Sequence, residues 1–169
     1  MVTQSIALAS SSGLVLALIV GIGVTSFAQE PKAALQGVWR TVEVVVPGAP
    51  ARTYRPDATL AIFHGRHYSR VEVHTDLPRP LLADQASASA DQLRAAWGPF
   101  FAEAGTFELS GNSTITMHAT VAKNPAAMAP GATTVYTYRR EGALLTLTQV
   151  RTIDGPAPYP LTVKLTRVE

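Results

Sequence analysis

From Gly37 onward, apolar and polar side chains alternate one by one in short runs, and clusters of Gly, Pro, Asn and Asp separate the runs. This alternation is typical of antiparallel strands that bury one face. We predict eight strands: Gly37–Val46, Ala58–His64, His67–His74, Thr106–Ser110, Thr114–Ala122, Thr133–Arg140, Ala143–Thr152 and Leu161–Val168. Such strands can close into an up-and-down barrel that holds one small ligand, and a two-sheet sandwich is the alternative.

The alternation also predicts which side chains face inward. In the fifth strand, Ile115, Met117, Ala119 and Val121 share one side, and Leu161, Val163, Leu165 and Arg167 share one side of the last. Around the turn Gly65-Arg66, a two-residue hairpin pairs His64 with His67, Ile62 with Ser69 and Leu60 with Val71. We expect this apolar face to line the interior, with both histidines at its rim.

One stretch breaks the β pattern. Between Leu81 and Gly105, Leu93, Trp97, Phe100 or Phe101, and Ala104 recur at helical spacing, and Ser89 with Gln92 forms a capping-box start. Gly98-Pro99 interrupts the run, so we expect one kinked helix or two short ones. The fold class is therefore an all-β barrel with a short helical insertion between strands three and four.

The first 28 residues have the pattern of a secretory signal peptide. Ile6 to Val24 carries no charged side chain, and small residues at Ser26 and Ala28 precede a polar Gln29-Glu30-Pro31. The opening MVTQS has no Lys or Arg, and an uncleaved membrane anchor is the alternative. Cleavage near Ala28 would leave a barrel domain at 29–169, periplasmic or secreted, with no stable membrane insertion.

Composition narrows the chemistry. The chain has no cysteine, which excludes disulfide staples and thiolate sites. Its net charge of +2 is small and its basic residues are scattered, so we expect no nucleic-acid partner. His64 and His67 supply two nitrogens and no evident third, and we expect solvated rim histidines rather than a metal site.

The first strand opens with Gly37 and Trp39, and Arg167 ends the apolar row of the last. On these residues the chain resembles the lipocalins, and more closely the bacterial lipocalin-like domain proteins, through LQGVWR, FHGRHYSRVEV, WGPFFAEAGTFELSG, VAKNP, YRREGALLTLTQVR and LTRVE. The resemblance implies a barrel floor in which a basic residue packs over the indole. First and last strands of a closed barrel are neighbours, so a cation–π contact of Arg167 with Trp39 is also physically reasonable.

We assign no catalytic residue. The chain lacks a Gly-x-Ser-x-Gly elbow, and most acidic residues fall in predicted loops or on outer faces. Glu43 would face the cavity if alternation continued from Trp39, but a bulge would place Val42 and Val44 inside instead, and we favour the bulge because a buried unpaired carboxylate is costly. Tyrosines 54, 68, 136 and 138 suit a pocket mouth and equally suit ordinary strands.

The function that these features favour is binding of a small hydrophobic or amphipathic molecule by an exported, monomeric barrel without a cofactor. The candidate ligand-binding residues are Leu60, Ile62, His64, His67, Ser69, Val71, Met117, Ala119, Leu145, Leu147, Val163, Trp97 and Phe100. An isomerase or cyclase with a rim histidine or Glu43 as general base is one alternative. A structural or partner-binding barrel with a dry core is the other.

Overall fold

The computed structural model describes residues 34–56, 58–111 and 113–169. The described residues form ten strands: β1 Gly37–Val46, β2 Arg52–Tyr54, β3 Thr59–His64, β4 His67–Val73, β5 Phe100–Ser110, β6 Thr114–Ala122, β7 Thr134–Glu141, β8 Leu144–Thr152, β9 Gly155–Pro156 and β10 Thr162–Arg167. The eight predicted strands correspond to the eight longer ones. The short strands β2 and β9 were not predicted.

The eight long strands close into one antiparallel barrel. Neighbours follow the order β10, β1, β3, β4, β5, β6, β7, β8, and β10 also pairs with β8. Because β10 is hydrogen-bonded to both β1 and β8, the sheet has no free edge between first and last strands, unlike a sandwich. The prediction of an eight-stranded up-and-down barrel is confirmed.

The two ends of the barrel differ in their connections. At one end lie the tight turns 65–66 and 142–143, the end of β5 and the start of β6, together with the start of β1, and we call it the closed end. At the opposite end lie the long connections that contain β2, the helix and the residues after β6 and β8, and we call it the open end. Long loops around one opening are where such barrels have room for a ligand.

The helix α1 spans Ala90–Trp97 and lies between β4 and β5. It lies in the segment where the helical insertion was predicted. Because the unpredicted strand β2 adds one to the count, the helix follows the fourth strand rather than the third. Ser89 and Gln92 form the predicted capping box, which is confirmed. The helical assignment of residues 100–105 is wrong: Gly98-Pro99 ends the helix, and from Phe100 onward the chain pairs with β4.

Trp39 is fully buried at the closed end and has the predicted basic neighbour. The Arg167 guanidinium carbon lies 5.7 Å from the indole centroid, and Trp39 and Arg167 are register partners. The sequence did not predict a second cation, Arg140, at 5.9 Å from the same ring. The Arg140 side chain also donates to the carbonyl of Ala34 at 3.1 Å. The contact between Trp39 and Arg167 is confirmed, and Arg140 adds to the floor.

A bulge in β1 decides where Glu43 points. Thr41 pairs with Leu165 and Glu43 with Lys164, so Val42 is the extra residue. Thr41 and Val44 are consequently buried, whereas the Glu43 carboxylate is 2.6 Å from the Lys164 ammonium on the outer face. The predicted bulge is confirmed for Val44 and for the exclusion of Glu43 from the cavity. The bulge falls after Thr41, two residues later than the predicted position after Trp39, so Val42 is not an inward residue.

The predicted signal peptide, residues 1–28, lies outside the described residues. Within the described residues, no helix has the length and apolar character needed to cross a bilayer.

Candidate ligand site in the open end of the barrel

A cavity of about 310 Å³ opens into the barrel at the open end. It is bordered by the first residues of β5 and β7 and by the last residues of β6 and β8. Its apolar wall includes Phe100, Phe101, Ala122, Ala127 and Ile153. Its polar wall includes Glu103, Thr134, Tyr136 and Gln149. A mainly apolar wall with a few polar groups is the usual make-up of a small-molecule pocket.

Beneath this cavity lies a buried ion pair. Arg70 Nη2 is 2.9 Å from Glu72 Oε1, and their side chains are 3% and 0% exposed. Both residues alternate on β4 with the buried Tyr68, so all three point into the barrel. Register explains their depth: Arg70 pairs with Ala61 on one side and with Glu103 on the other, and both partners also face inward.

Arg70 is held on several sides. Its Nη1 donates to the Tyr136 hydroxyl at 3.3 Å and lies 3.9 Å from Glu103 Oε1. Its guanidinium carbon lies 5.1 Å from the ring centroid of Phe101 and 5.8 Å from that of Tyr136. A buried charge needs such partners, because leaving it unpaired is far more costly than leaving a neutral polar group unpaired.

Glu72 and Glu103 respond differently to the same arginine. Burial favours the neutral form of Glu72, but the Arg70 guanidinium and His74 outweigh it and lower the pKa of Glu72 to about 2. For Glu103, burial dominates over the more distant Arg70, and the nearby Glu72 adds to it, so the pKa of Glu103 is raised. Glu103 is therefore the carboxyl of this pair whose protonation changes most easily.

His74 links the ion pair to the rim. Its Nε2 is 3.0 Å from Glu72 Oε2, and its ring stacks on Phe101 with centroids 5.0 Å apart. The ring of Tyr54, in β2, also lies beside His74, with the two centroids 6.2 Å apart. His74 thus connects Glu72 with the aromatic rings of Phe101 and Tyr54.

Lys123 closes the side of the cavity near α1. Its ammonium donates to the carbonyls of Trp97, Gly98 and Phe100, the last at 2.8 Å. Carbonyls at a helix C-terminus lack intrahelical partners and attract a cation. The VAKNP motif therefore ties β6 to the end of the helix, and Asn124 begins a short 3₁₀ helix at Pro125–Met128 by accepting from the Ala126 amide.

The predicted inward face of the β3–β4 hairpin is wrong. Its register is as predicted, but Leu60 is 45% and Val71 40% exposed, and Ile62 is exposed with them. The opposite face, with Phe63 and Tyr68, is buried. We predicted that the apolar face of the hairpin points inward because charged side chains usually face solvent. In this barrel Arg70 and Glu72 point inward instead, where their opposite charges neutralise each other.

His64 and His67 pair across the turn as predicted, but both are exposed and lie at the closed end. Gln36 fixes this turn beside the start of β1, since its side chain accepts from the Gly65 amide at 2.6 Å. Neither histidine borders the cavity, so neither can serve it as a general base or an orienting group. Ser69, between them and Val71, is half-buried and borders a groove outside the barrel.

Most of the remaining candidates belong to the packed core. Met117, Leu145, Leu147 and Val163 are buried as predicted, but they belong to the hydrophobic core and do not line the cavity. Ala119 is half-buried and pairs with Gly105. After it, the shift in register opposite Ala104 and Gly105 turns Val121 outward, where it is 61% exposed. The expected continuation of this face through Val121 is therefore wrong.

The helical candidates differ from each other. Phe100 borders the cavity, whereas Trp97 is 42% exposed and borders a separate groove with Arg79 and Leu81. The two rings still touch edge to face, with centroids 6.0 Å apart. Of the thirteen candidates, Phe100 alone borders the open-end cavity among the described residues.

The residues that sequence reasoning missed are Arg70, Glu72 and Glu103. The available signal was the i, i+2 spacing of Arg70 and Glu72, which puts opposite charges on one face of one strand. Tyr136, which suited a pocket mouth and an ordinary strand equally, borders the cavity but is buried, and its hydroxyl accepts from Arg70. Among the residues described, no three histidine or acidic side chains come together in a group that could hold a metal ion.

The barrel is similar to the crystal structure of a lipocalin-like protein from Bacteroides uniformis, with 12% sequence identity and a TM-score of 0.45, over 79% of this chain and 98% of that one. It is also similar to a redesigned β-barrel, with 14% identity and a TM-score of 0.41, over 82% of this chain and 96% of that one. No protein family and no curated protein matches the sequence. The closed eight-stranded barrel is the architecture that the resemblance of the motifs to lipocalin-like proteins implied.

Proposed function

We propose that the protein binds a small amphipathic molecule in its open-end cavity. The observation that carries this proposal is the cavity itself: about 310 Å³ with Phe100, Phe101 and Ile153 on its wall and Glu103 and Tyr136 on its polar side. The apolar wall favours a hydrophobic body, since each buried methylene contributes about 0.8 kcal/mol. The polar side orients the other end of the molecule.

Two neighbouring residues of β6 offer a matched test. Ala122 borders the cavity, and Val121 points out of the barrel. We would titrate wild type, Ala122→Phe and Val121→Phe with the uncharged fluorescent probe N-phenyl-1-naphthylamine. We expect Ala122→Phe to weaken probe binding at least tenfold and Val121→Phe to change it less than twofold. Equal effects, or no probe binding by wild type, would contradict the proposal.

None of the residues that we considered as general bases for an enzyme, Glu43, His64 and His67, borders the open-end cavity. Glu43 is on the outer face beside Lys164, and both rim histidines lie at the closed end. We therefore propose a binding protein rather than an isomerase or cyclase.

We also propose that the protein is exported and that its first 28 residues are removed. The support is the uncharged apolar run Ile6 to Val24 followed by Ser26 and Ala28. N-terminal sequencing of the protein from fractionated cells tests this. A mature chain that begins near Gln29 in the exported fraction is the expected result, and an intact Met1 in a membrane fraction would indicate a retained anchor.

A further inference from the structure

The open-end cavity has an uneven distribution of charge at its deep end. Arg70 supplies one positive charge, and the buried carboxyls Glu72 and Glu103 face it from either side. Glu72 makes the closest ionic contacts with the guanidinium, because Arg70 Nε and Nη2 lie 3.0 and 2.9 Å from the same Glu72 oxygen. Glu103 is left with one longer contact at 3.9 Å.

Glu103 is also the carboxyl that a ligand would meet. It borders the cavity, whereas Glu72 does not, and its side chain is only 9% exposed. The other cation on the cavity wall, Lys123, is already engaged by three backbone carbonyls at the rim. An incoming group with a positive charge and N–H donors would thus find a carboxylate whose nearest cation, Arg70, is 3.9 Å away and is shared with Glu72.

An anionic head group would meet the opposite situation. Arg70, the obvious partner for a carboxylate, is already bound by Glu72 and Tyr136. A second carboxylate placed beside Glu103 would bring like charges together in a poorly solvated place, which is unfavourable by more than the same contact in water. The cavity therefore disfavours fatty acids and other simple carboxylates.

We propose that the ligand of the open-end cavity carries a protonated amine, with Glu103 as its counter-ion and Phe100 and Ile153 against its apolar body. This rests on the proposed binding function and specifies the ligand class. An ammonium has three N–H donors. Beyond Glu103, Thr134 and Gln149 border the same space, and each side chain has an oxygen that can accept a hydrogen bond.

Three probes of one shape separate the charges: 2-phenylethylamine, the neutral 2-phenylethanol and the anionic 3-phenylpropionate. Calorimetric titration of the purified wild-type chain is expected to give the amine at least tenfold tighter binding than the alcohol, and the acid weaker binding than the alcohol. This comparison needs no variant. An alcohol that binds as tightly as the amine, or an acid that binds most tightly, overturns the amine assignment while leaving a binding cavity in place.

Glu103→Gln removes the charge and keeps the size of the side chain. We expect it to reduce amine affinity to that of the alcohol and to change alcohol affinity less than twofold. Glu108→Gln is the matched control, because Glu108 is exposed on the outer face of the same strand, β5. An amine affinity that Glu103→Gln leaves unchanged would overturn the proposal. Failure of all three probes would also overturn it, and the titration with N-phenyl-1-naphthylamine then decides separately whether the cavity binds at all.

Discussion

Arg70 and Glu72 lie two residues apart on β4, and their charged groups meet at 2.9 Å inside the barrel, where both side chains are almost fully buried. Residues two apart on a strand point to the same side, so the local geometry of β4 is sufficient to place these two side chains next to each other. The remaining contacts of Arg70, to Tyr136 and Glu103, come from β7 and β5. The pair thus anchors the polar half of the interior.

Breaking this pair from one side is expected to be strongly destabilising. Arg70→Met leaves the buried Glu72 without its cation, and we expect a loss of about 3–5 kcal/mol in the free energy of unfolding. The double variant Arg70→Met, Glu72→Leu should be less destabilised than the single one. Urea unfolding measures both. The exposed pair Arg66–Glu108 is the control, and Arg66→Met should have little effect. A double variant less stable than Arg70→Met would contradict the expectation.

The pKa of Glu72 predicts a loss of stability in acid. This pKa is lowered from 4.5 to about 2, so the contribution of the carboxylate is fully present above pH 4.5 and is lost as the pH falls toward 2. Glu72→Gln should therefore be less stable than wild type at pH 6, and the difference should shrink at pH 3. Urea unfolding at both values tests this, and a difference independent of pH would speak against it.

Glu103 should behave in the opposite way. Burial raises its pKa above the ordinary value of 4.5, so the folded state holds its proton more tightly than the unfolded state. Stability therefore falls as the pH rises from below 4.5 through the folded pKa. Glu103→Gln should gain stability relative to wild type near neutral pH, and this gain should disappear below pH 4. A variant that is destabilised equally at all pH values would show that the charge is compensated in the fold.

The barrel floor offers a third kind of test. Arg167→Gln and Arg140→Gln each remove a guanidinium within 6 Å of the Trp39 centroid, and we expect each to reduce the free energy of unfolding by about 1 kcal/mol. Arg139→Gln is the control, because that side chain is 72% exposed. Tryptophan fluorescence during urea unfolding reports on the change. Equal stability of all three variants would show that the cations do not stabilise the floor.

Replacing Gly105 or Gly65 with alanine should destabilise the protein, for a different reason at each position. A Cβ at Gly105 would lie 1.9 Å from the His118 carbonyl oxygen, so β5 and β6 would have to separate. At Gly65 there is open space, but φ is +60°, which is unfavourable by about 1 kcal/mol for alanine. Thermal unfolding should show a much larger loss for Gly105→Ala than for Gly65→Ala. The reverse order would contradict the close packing at Gly105.

The strand framework was accessible from local sequence. The hairpin pairing of His64 with His67 follows from a two-residue turn, and the helix start follows from Ser89 and Gln92, which act on backbone groups within one turn. The floor contact of Trp39 with Arg167 was accessible too, because first and last strands of a closed barrel must be neighbours. Each of these predictions depends on few residues, and none depends on knowing which face of a strand points into the barrel.

The candidate site was not accessible in the same way. Phe100 was named for the cavity, but Arg70, Glu72 and Glu103 were missed because hydropathy places charges on the solvent face. Their burial depends on partners in other strands, and one sequence does not show which partners will neutralise which charge. The apolar residues Phe100 and Ala104 fit a strand as well as a helix, and pairing with β4 makes this segment the start of β5.

The sequence by itself determined the number of long strands, their turns, the capped helix and the contact of the first and last strands at the floor, because these follow from periodicity, local backbone preference and closure of the barrel. The tertiary structure alone decided which face of β3 and β4 is inside, where the bulges at Val42 and near Gly105 fall, and which end holds the cavity. The physical reason is the two-residue period of a strand, because one extra residue reverses the face on which every later side chain lies. In β4 the alternation is regular, and the mutual neutralisation of Arg70 and Glu72 allows the charged face to lie inside.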